Sequence, residues 1–165
     1  GKDPDREPPF FFSKPAQAIV PDGATLPYPT QTTDLHFEGE LVVALASGGS
    51  DIAEADALSH VFGYATGNDL TRRDLQAEAK KMGRPWDLAK GFDQSAVIGT
   101  LHPVAKVGHP ETGAIRTYLN GELRADFEDD LTPKGVIALQ VHGVGGVKEP
   151  LNVMWRNLRI KQLDR

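Results

Sequence analysis

Two glutamates one residue apart, Glu38 and Glu40, open the strongest apolar run of the chain, "DLHFEGELVVAL" at 34–45. Side chains two apart on a strand point to the same face. The spacing therefore sets Glu38 and Glu40 beside His36, with Leu35, Phe37, Leu41 and Val43 on the other face. Adjacent carboxylates repel unless water, a proton or a cation stands between them. The pair is thus either a solvated strand face or half of a cation site. Asp69, closing "VFGYATGND" just ahead of a helical pattern, is a third oxygen ligand for such a site. An aspartate at that position also serves as a helix cap. Lys90 stands alone in "LAKGFD", flanked by Trp86 and Phe92. It reads either as a partner of these carboxylates or as a surface lysine that buries its stem and keeps its ammonium in water.

The elements that must hold these residues follow from local pattern. Residues 35–46 read as one strand, 61–69 as a second that ends in a Gly-Asn-Asp turn, and 97–101 as a short third. "IAEADALSHV" (52–61) reads as a short helix. "TRRDLQAEAKKMG" (71–83) is the clearest helix, with Thr71 and Asp74 placed as a capping box and Gly83 as its stop. The stretch 84–96 carries no regular pattern. "IRTYLNGELRADF" (115–127) is a hairpin candidate around Asn120-Gly121, a type I′ pair. Strands are predicted again at 135–143 and 151–160. Seven of the 12 prolines lie in the first 29 residues, which are expected to be extended or irregular.

At 165 residues the chain has the length of one ordinary domain, or of two small ones. The acidic excess lies in the first 112 residues, which hold 16 Asp/Glu against 10 Lys/Arg. This balance argues against nucleic acid and anionic membrane as partners and suits a cation. With no cysteine there is neither a disulfide framework nor a zinc–thiolate site. No stretch approaches a membrane span or a signal-peptide core, so a cytoplasmic location is expected. "GKDPDREPP" lacks an initiating Met and reads as an arbitrary starting point.

The blocks "FSKP", "DLHFEGELVVAL", "VFGYATGNDLTRRDLQ" and "GRPWDLAKGFDQSAVIG", in this order, resemble the fumarylacetoacetate hydrolase family, and especially its short acylpyruvate hydrolases. The resemblance covers about residues 7–112. It implies that Glu38, Glu40 and Asp69 bind one Mg²⁺ or Mn²⁺, an all-oxygen set suited to a hard dication. It implies that Arg73 and Gln76 contact the carboxylate and carbonyl oxygens of a small dicarbonyl acid, and that Lys90 is the active-site lysine. The implied reaction is hydrolysis of a carbon–carbon bond in an acylpyruvate, with the leaving enolate stabilised by the metal and the ammonium. In the family a lid His and Glu activate the water. Their helix would precede Gly1, so hydrolysis by this chain is expected to be impaired.

From about residue 114 to 163 the phrases "YLNGELRADF", "GVIALQVHG" and "VMWRNLRIKQL" resemble instead the closing strands of the 3-keto-disaccharide hydrolases, a concanavalin-like sandwich. The chain therefore reads as composite, with a partial hydrolase-like domain at 1–112 and a β-strand tail at 113–165. The fold class is α+β and strand-dominated: a mixed, curved sheet with one main helix, then antiparallel strands. Isolated hairpins are marginal in water, so the tail must pair with the first part or make a homodimer. A carbohydrate-acting or carbohydrate-binding sandwich is the alternative function, with Trp155 as stacking aromatic or core residue. A fold without ligand is the third reading.

Overall fold

The computed structural model describes residues 10–111 and 113–129. Its strands are β1 (Ile19–Pro21), β2 (Leu35–His36), β3 (Gly39–Leu45), β4 (Val61–Asp69), β5 (Thr71–Arg72), β6 (Ala96–Ile98), β7 (His102–Pro103), β8 (Gly113–Leu119) and β9 (Glu122–Asp129). Its α-helices are α1 (Arg73–Lys81), α2 (Asp87–Lys90) and α3 (Val104–Val107), with 3-10 turns at Ala16–Ala18 and Glu54–His60. The architecture is α+β with a mixed sheet. Strand order is β1-β6-β4-β3, and β7 also pairs with β4. Only β1–β6 is parallel in this sheet.

β4 organises the sheet. Its Val, Phe, Tyr and Thr side chains suit a pleated surface, and it pairs with β3, β6 and β7. Gly63 permits the β7 contact, because a Cβ there would lie 2.4 Å from the His102 carbonyl oxygen. Among the described residues β1 and β3 end this sheet, and on β3 Val43 and Leu45 are 39% and 64% exposed.

Two expected elements are redrawn. The strand read at 35–46 is two strands with different partners. Leu35–His36 pairs with Thr71–Arg72, and Gly39–Leu45 pairs with β4. The chain changes partner at Phe37 and Glu38, which turn into the buried interior. The helix read at 71–83 begins at Arg73, because Thr71 is already committed to pairing with His36. The capping box consequently does not form. Thr71 Oγ1 donates to the Asp69 carbonyl, while the Asp74 carboxylate accepts from Thr32 Oγ1 at 2.6 Å and from the Thr33 N–H. Gly83, at φ +62°, ends the helix as expected. Within the stretch read as irregular lies α2, which carries Lys90.

The hairpin at 113–129 forms around Asn120 and Gly121, both at positive φ (51° and 81°), as a type I′ turn requires. Leu119, 1% exposed, joins Phe37 and Leu70 in one buried cluster, against which Leu26, Leu35, Phe92 and Val97 pack. This hairpin therefore shares its apolar contacts with the first part of the chain. The strands expected at 135–143 and 151–160, and Trp155, lie outside the described residues. Among the described residues no helix is long and apolar enough to cross a membrane.

Candidate metal centre

The antiparallel β3–β4 register builds the site. Gly39 faces Asn68, and Glu40 faces Gly67. One step further, the Asp69 N–H donates to the Glu38 carbonyl at 2.8 Å, and the Glu38 N–H donates to Asn68 Oδ1 at 3.1 Å. The start of β3 is thereby fixed beside the end of β4. One carboxylate oxygen from each of Glu38, Glu40 and Asp69 lies within 4.8 Å of the other two. Two oxygens on a single Mg²⁺ or Ca²⁺-sized ion lie at most ~4–5 Å apart, so this spacing is compatible with one ion.

Three cationic side chains enter from other elements. Lys90, at the end of α2, is 2% exposed, and its Nζ donates to Glu38 Oε2 and Asp69 Oδ2, each at 2.6 Å. The Phe12 ring covers this ammonium, 4.8 Å from its centroid. Arg73, opening α1, donates to Glu38 Oε1 and to Gln76 Oε1. Lys14 precedes the first 3-10 turn, and its Nζ lies 2.6 Å from Asp69 Oδ1.

The electrostatics divide the three carboxylates. Burial pushes Glu38 up, but the hydrogen bonds and charges of Lys90 and Arg73 outweigh it and hold Glu38 below the usual carboxylate range. Glu40 is pushed up to about 7, first by burial and then by the charges of Asp69 and Glu38. Among the described residues no Lys, Arg or His makes an ion pair with Glu40. Burial also lowers the Lys14 pKa, against the pull of Asp69. Asp69 Oδ1 is buried yet accepts no well-directed hydrogen bond, despite its proximity to Lys14. An open lone pair on Asp69, a raised Glu40 and a donor set made wholly of carboxylate oxygens fit a hard divalent cation.

The structure thus brings all six singled-out side chains together. Arg73 and Lys90 hold opposite oxygens of Glu38, and Gln76 braces Arg73. The Asp69 side chain turns to the lysines rather than capping α1, and Lys90 is buried rather than a surface lysine. His36 has both ring nitrogens engaged, with Asp34 Oδ1 at 2.8 Å and with Arg73 Nε at 3.4 Å. Lys14, Ser95 and Asn68 were not singled out. The available signal for Lys14 was a charged residue between an apolar run of three phenylalanines, from which Ser13 separates it, and Pro15.

Residues 1–132 match the family model described as fumarylacetoacetate (FAA) hydrolase C-terminal. The chain belongs to the fumarylacetoacetate hydrolase family. The fumarylpyruvate hydrolase of a Ralstonia species is 40% identical over 121 residues, 73% of this chain and 62% of that protein. The mitochondrial oxaloacetate tautomerase FAHD1 of Mus musculus is 42% identical over 120 residues, covering 72% and 53%. The chain therefore spans little more than half the length of these relatives. The crystal structure of fumarylpyruvate hydrolase from Pseudomonas aeruginosa, in complex with Mn²⁺ and pyruvate, superposes with a TM-score of 0.71 at 53% identity, covering 78% of this chain and 57% of that one. The family match runs through residue 132, past the expected boundary at 112, and takes in the β8–β9 hairpin. The composite reading of the tail gains no support from these matches.

Proposed function

We propose that this protein is a divalent-metal-dependent hydrolase of the carbon–carbon bond in acylpyruvates, using Mg²⁺ or Mn²⁺. The observation that carries the reading is the convergence of buried Glu38 and Asp69 with half-buried Glu40, the Lys90 ammonium being set between the two buried members. Similarity to fumarylpyruvate hydrolases, one of them solved with Mn²⁺ and pyruvate, supports it. The overall reaction adds water across the bond: R–CO–CH₂–CO–COO⁻ and H₂O give R–COO⁻, pyruvate and H⁺.

Glu38, Glu40 and Asp69 would hold the ion, which supplies Lewis-acid stabilisation of negative charge on substrate oxygens. Arg73 exchanges part of its contact with Glu38 for the substrate carboxylate, a charge-assisted pair that also orients the molecule. Gln76, which braces Arg73, turns its amide toward the neighbouring carbonyl. The Lys90 ammonium, buried under Phe12, stabilises the enolate as the bond breaks, and its low-dielectric setting strengthens that effect. His36 orients Arg73 and is not free to act as a base.

Oxaloacetate tautomerases are as similar to this chain as the curated hydrolase is, and tautomerisation also passes through an enolate. A tautomerase is therefore the second reading. Both require the cation, so Mn²⁺ titration comes first, followed by acetylpyruvate cleavage and enol–keto conversion of oxaloacetate with Mg²⁺. Pyruvate release supports the hydrolase, and enol loss alone supports the tautomerase. No Mn²⁺ uptake at the site, or uptake undiminished in Asp69→Asn, sinks both. We propose that the protein is cytoplasmic and that it forms a homodimer, the latter tested by light scattering. The glycan-binding reading of residues 113–165 is tested on a glycan panel.

A further inference from the structure

Lys14 lies in no strand or α-helix, yet its ammonium meets three separate parts of the chain. It donates to the carbonyls of Leu70 (3.3 Å), Lys90 (2.5 Å) and Ser95 (3.0 Å) and to Ser95 Oγ (3.0 Å). It also pairs with Asp69 Oδ1 at 2.6 Å. Leu70 follows the end of β4, Lys90 closes α2, and Ser95 precedes β6. Ser95 Oγ, fully buried, in turn donates to the Lys90 carbonyl at 2.8 Å. Two residues upstream of Lys14, Phe12 covers the Lys90 ammonium. One short segment therefore holds Lys90 at both its backbone carbonyl and its side chain, and pairs with the Asp69 oxygen that Lys90 does not take.

We infer that Lys14 is a positioning residue: it fixes the Asp69 carboxylate and the end of α2 relative to each other, and so sets how tightly the triad takes a divalent cation. The inference rests on the metal reading given above. A lysine that merely balanced charge would act with the opposite sign. Its ammonium repels an incoming dication, so its removal would tighten binding. A lysine that positions Asp69 and Lys90 loosens the site when removed. The direction of change therefore separates the two roles. Buried carbonyls gathered on one ammonium also explain the choice of Lys over a neutral donor, since hydrogen bonds from a charged group are the stronger ones.

The experiment is Mn²⁺ titration of the full chain, followed by electron paramagnetic resonance, for wild type, Lys14→Met, Ser95→Ala and the double variant. Lys14→Met is expected to weaken Mn²⁺ roughly tenfold or more. Ser95→Ala, which keeps the charge and loosens its anchor, is expected to weaken it about threefold, with no further loss in the Lys14→Met background. Unchanged or tighter Mn²⁺ binding in Lys14→Met overturns the inference. If Lys14→Met does not fold, Ser95→Ala decides alone, and unaltered affinity overturns it. A wild-type chain that takes up no Mn²⁺ refutes the metal reading instead. Amide hydrogen exchange at Asp69 and Gly91, whose N–H groups bond to Glu38 and Asp87, then tests the Lys14 role by itself. Faster exchange at both in Lys14→Met, or in Ser95→Ala if Lys14→Met does not fold, supports it, and unchanged exchange overturns it.

Discussion

Replacing Lys90 by Met tests whether the site is held together by its own charges. Met keeps most of the volume and removes the ammonium. That ammonium is 2% exposed and sits 2.6 Å from one oxygen of Glu38 and one of Asp69. Taking one partner from a buried pair leaves uncompensated charge and costs about 3–5 kcal/mol. Arg73 still serves Glu38, and Lys14 still serves Asp69, so the loss should fall at the lower end, about 3 kcal/mol. The pH dependence carries a sign. Lys90 helps to hold Glu38 below its ordinary value. Such a group stabilises the fold above its unfolded pKa and loses that contribution as pH falls through its folded pKa. The difference between wild type and Lys90→Met should therefore be largest at neutral pH and shrink in acid. Urea unfolding at several pH values, with and without Mn²⁺, measures this. Saturating Mn²⁺ should restore part of the loss, because a cation at ~100 times its dissociation constant contributes about 2.7 kcal/mol. A deficit below ~1 kcal/mol at neutral pH, where a buried pair predicts several times more, would refute the reasoning.

Three further outcomes follow from the same geometry. Glu40 sits at about 7 and must be ionised to hold a cation, so Mn²⁺ affinity should rise as pH climbs through about 7, with release of about one proton. Glu40→Gln should bind weakly and lose that step, as calorimetry in two buffers of different protonation enthalpy will show. Arg73→Met should raise KM for acetylpyruvate by roughly 10- to 100-fold with a smaller change in kcat, and a fall confined to kcat would remove Arg73 from substrate binding. Gly63→Ala would place a Cβ 2.4 Å from the His102 oxygen, so β4 and β7 must part at about 1–3 kcal/mol. Thermal melting should register that loss while Mn²⁺ affinity in the folded state stays unchanged.

The parts of this molecule legible in the sequence are those set by local chemistry. Asn120-Gly121 demands a turn with two positive φ values, and the structure has it. Gly83 marks the helix stop for the same reason. The start of α1 was not legible, because Thr71 has two suitors. Local chemistry offers it to Asp74 as a cap, whereas tertiary pairing gives it to His36. The break at Phe37 and Glu38 was hidden likewise, since period-2 alternation continues through a change of partner. Glu38 and Glu40 share a strand-like spacing that draws attention to them, but their meeting with Asp69 depends on the β3–β4 register. Lys14 was least visible, because its importance lies in carbonyls contributed by residues 56 to 81 positions away.

The same distribution of contacts explains why Glu40 is the pivot of the site. Glu38 has two cations and Asp69 has two, with Lys90 shared between them. Among the described residues Glu40 has none. Gly67 faces it across the strands, where a Cβ would meet Val42 Cγ2 at 2.7 Å. The backbone there is close-packed and offers no donor side chain to satisfy Glu40. Burial and the charges of Asp69 and Glu38 outweigh the pull of the Lys90 and Lys14 ammoniums, which is why its pKa lies near neutrality. For the carboxylate without a cation the sign is opposite to that of Glu38: Glu40 favours the fold while protonated, and its burden grows as pH rises from its unfolded value toward about 7. A dication reverses that burden by taking the place of the proton. On the proposed metal reading, the two paired carboxylates give the site its fixed geometry, and Glu40, without an ion pair among the described residues, couples cation uptake to pH.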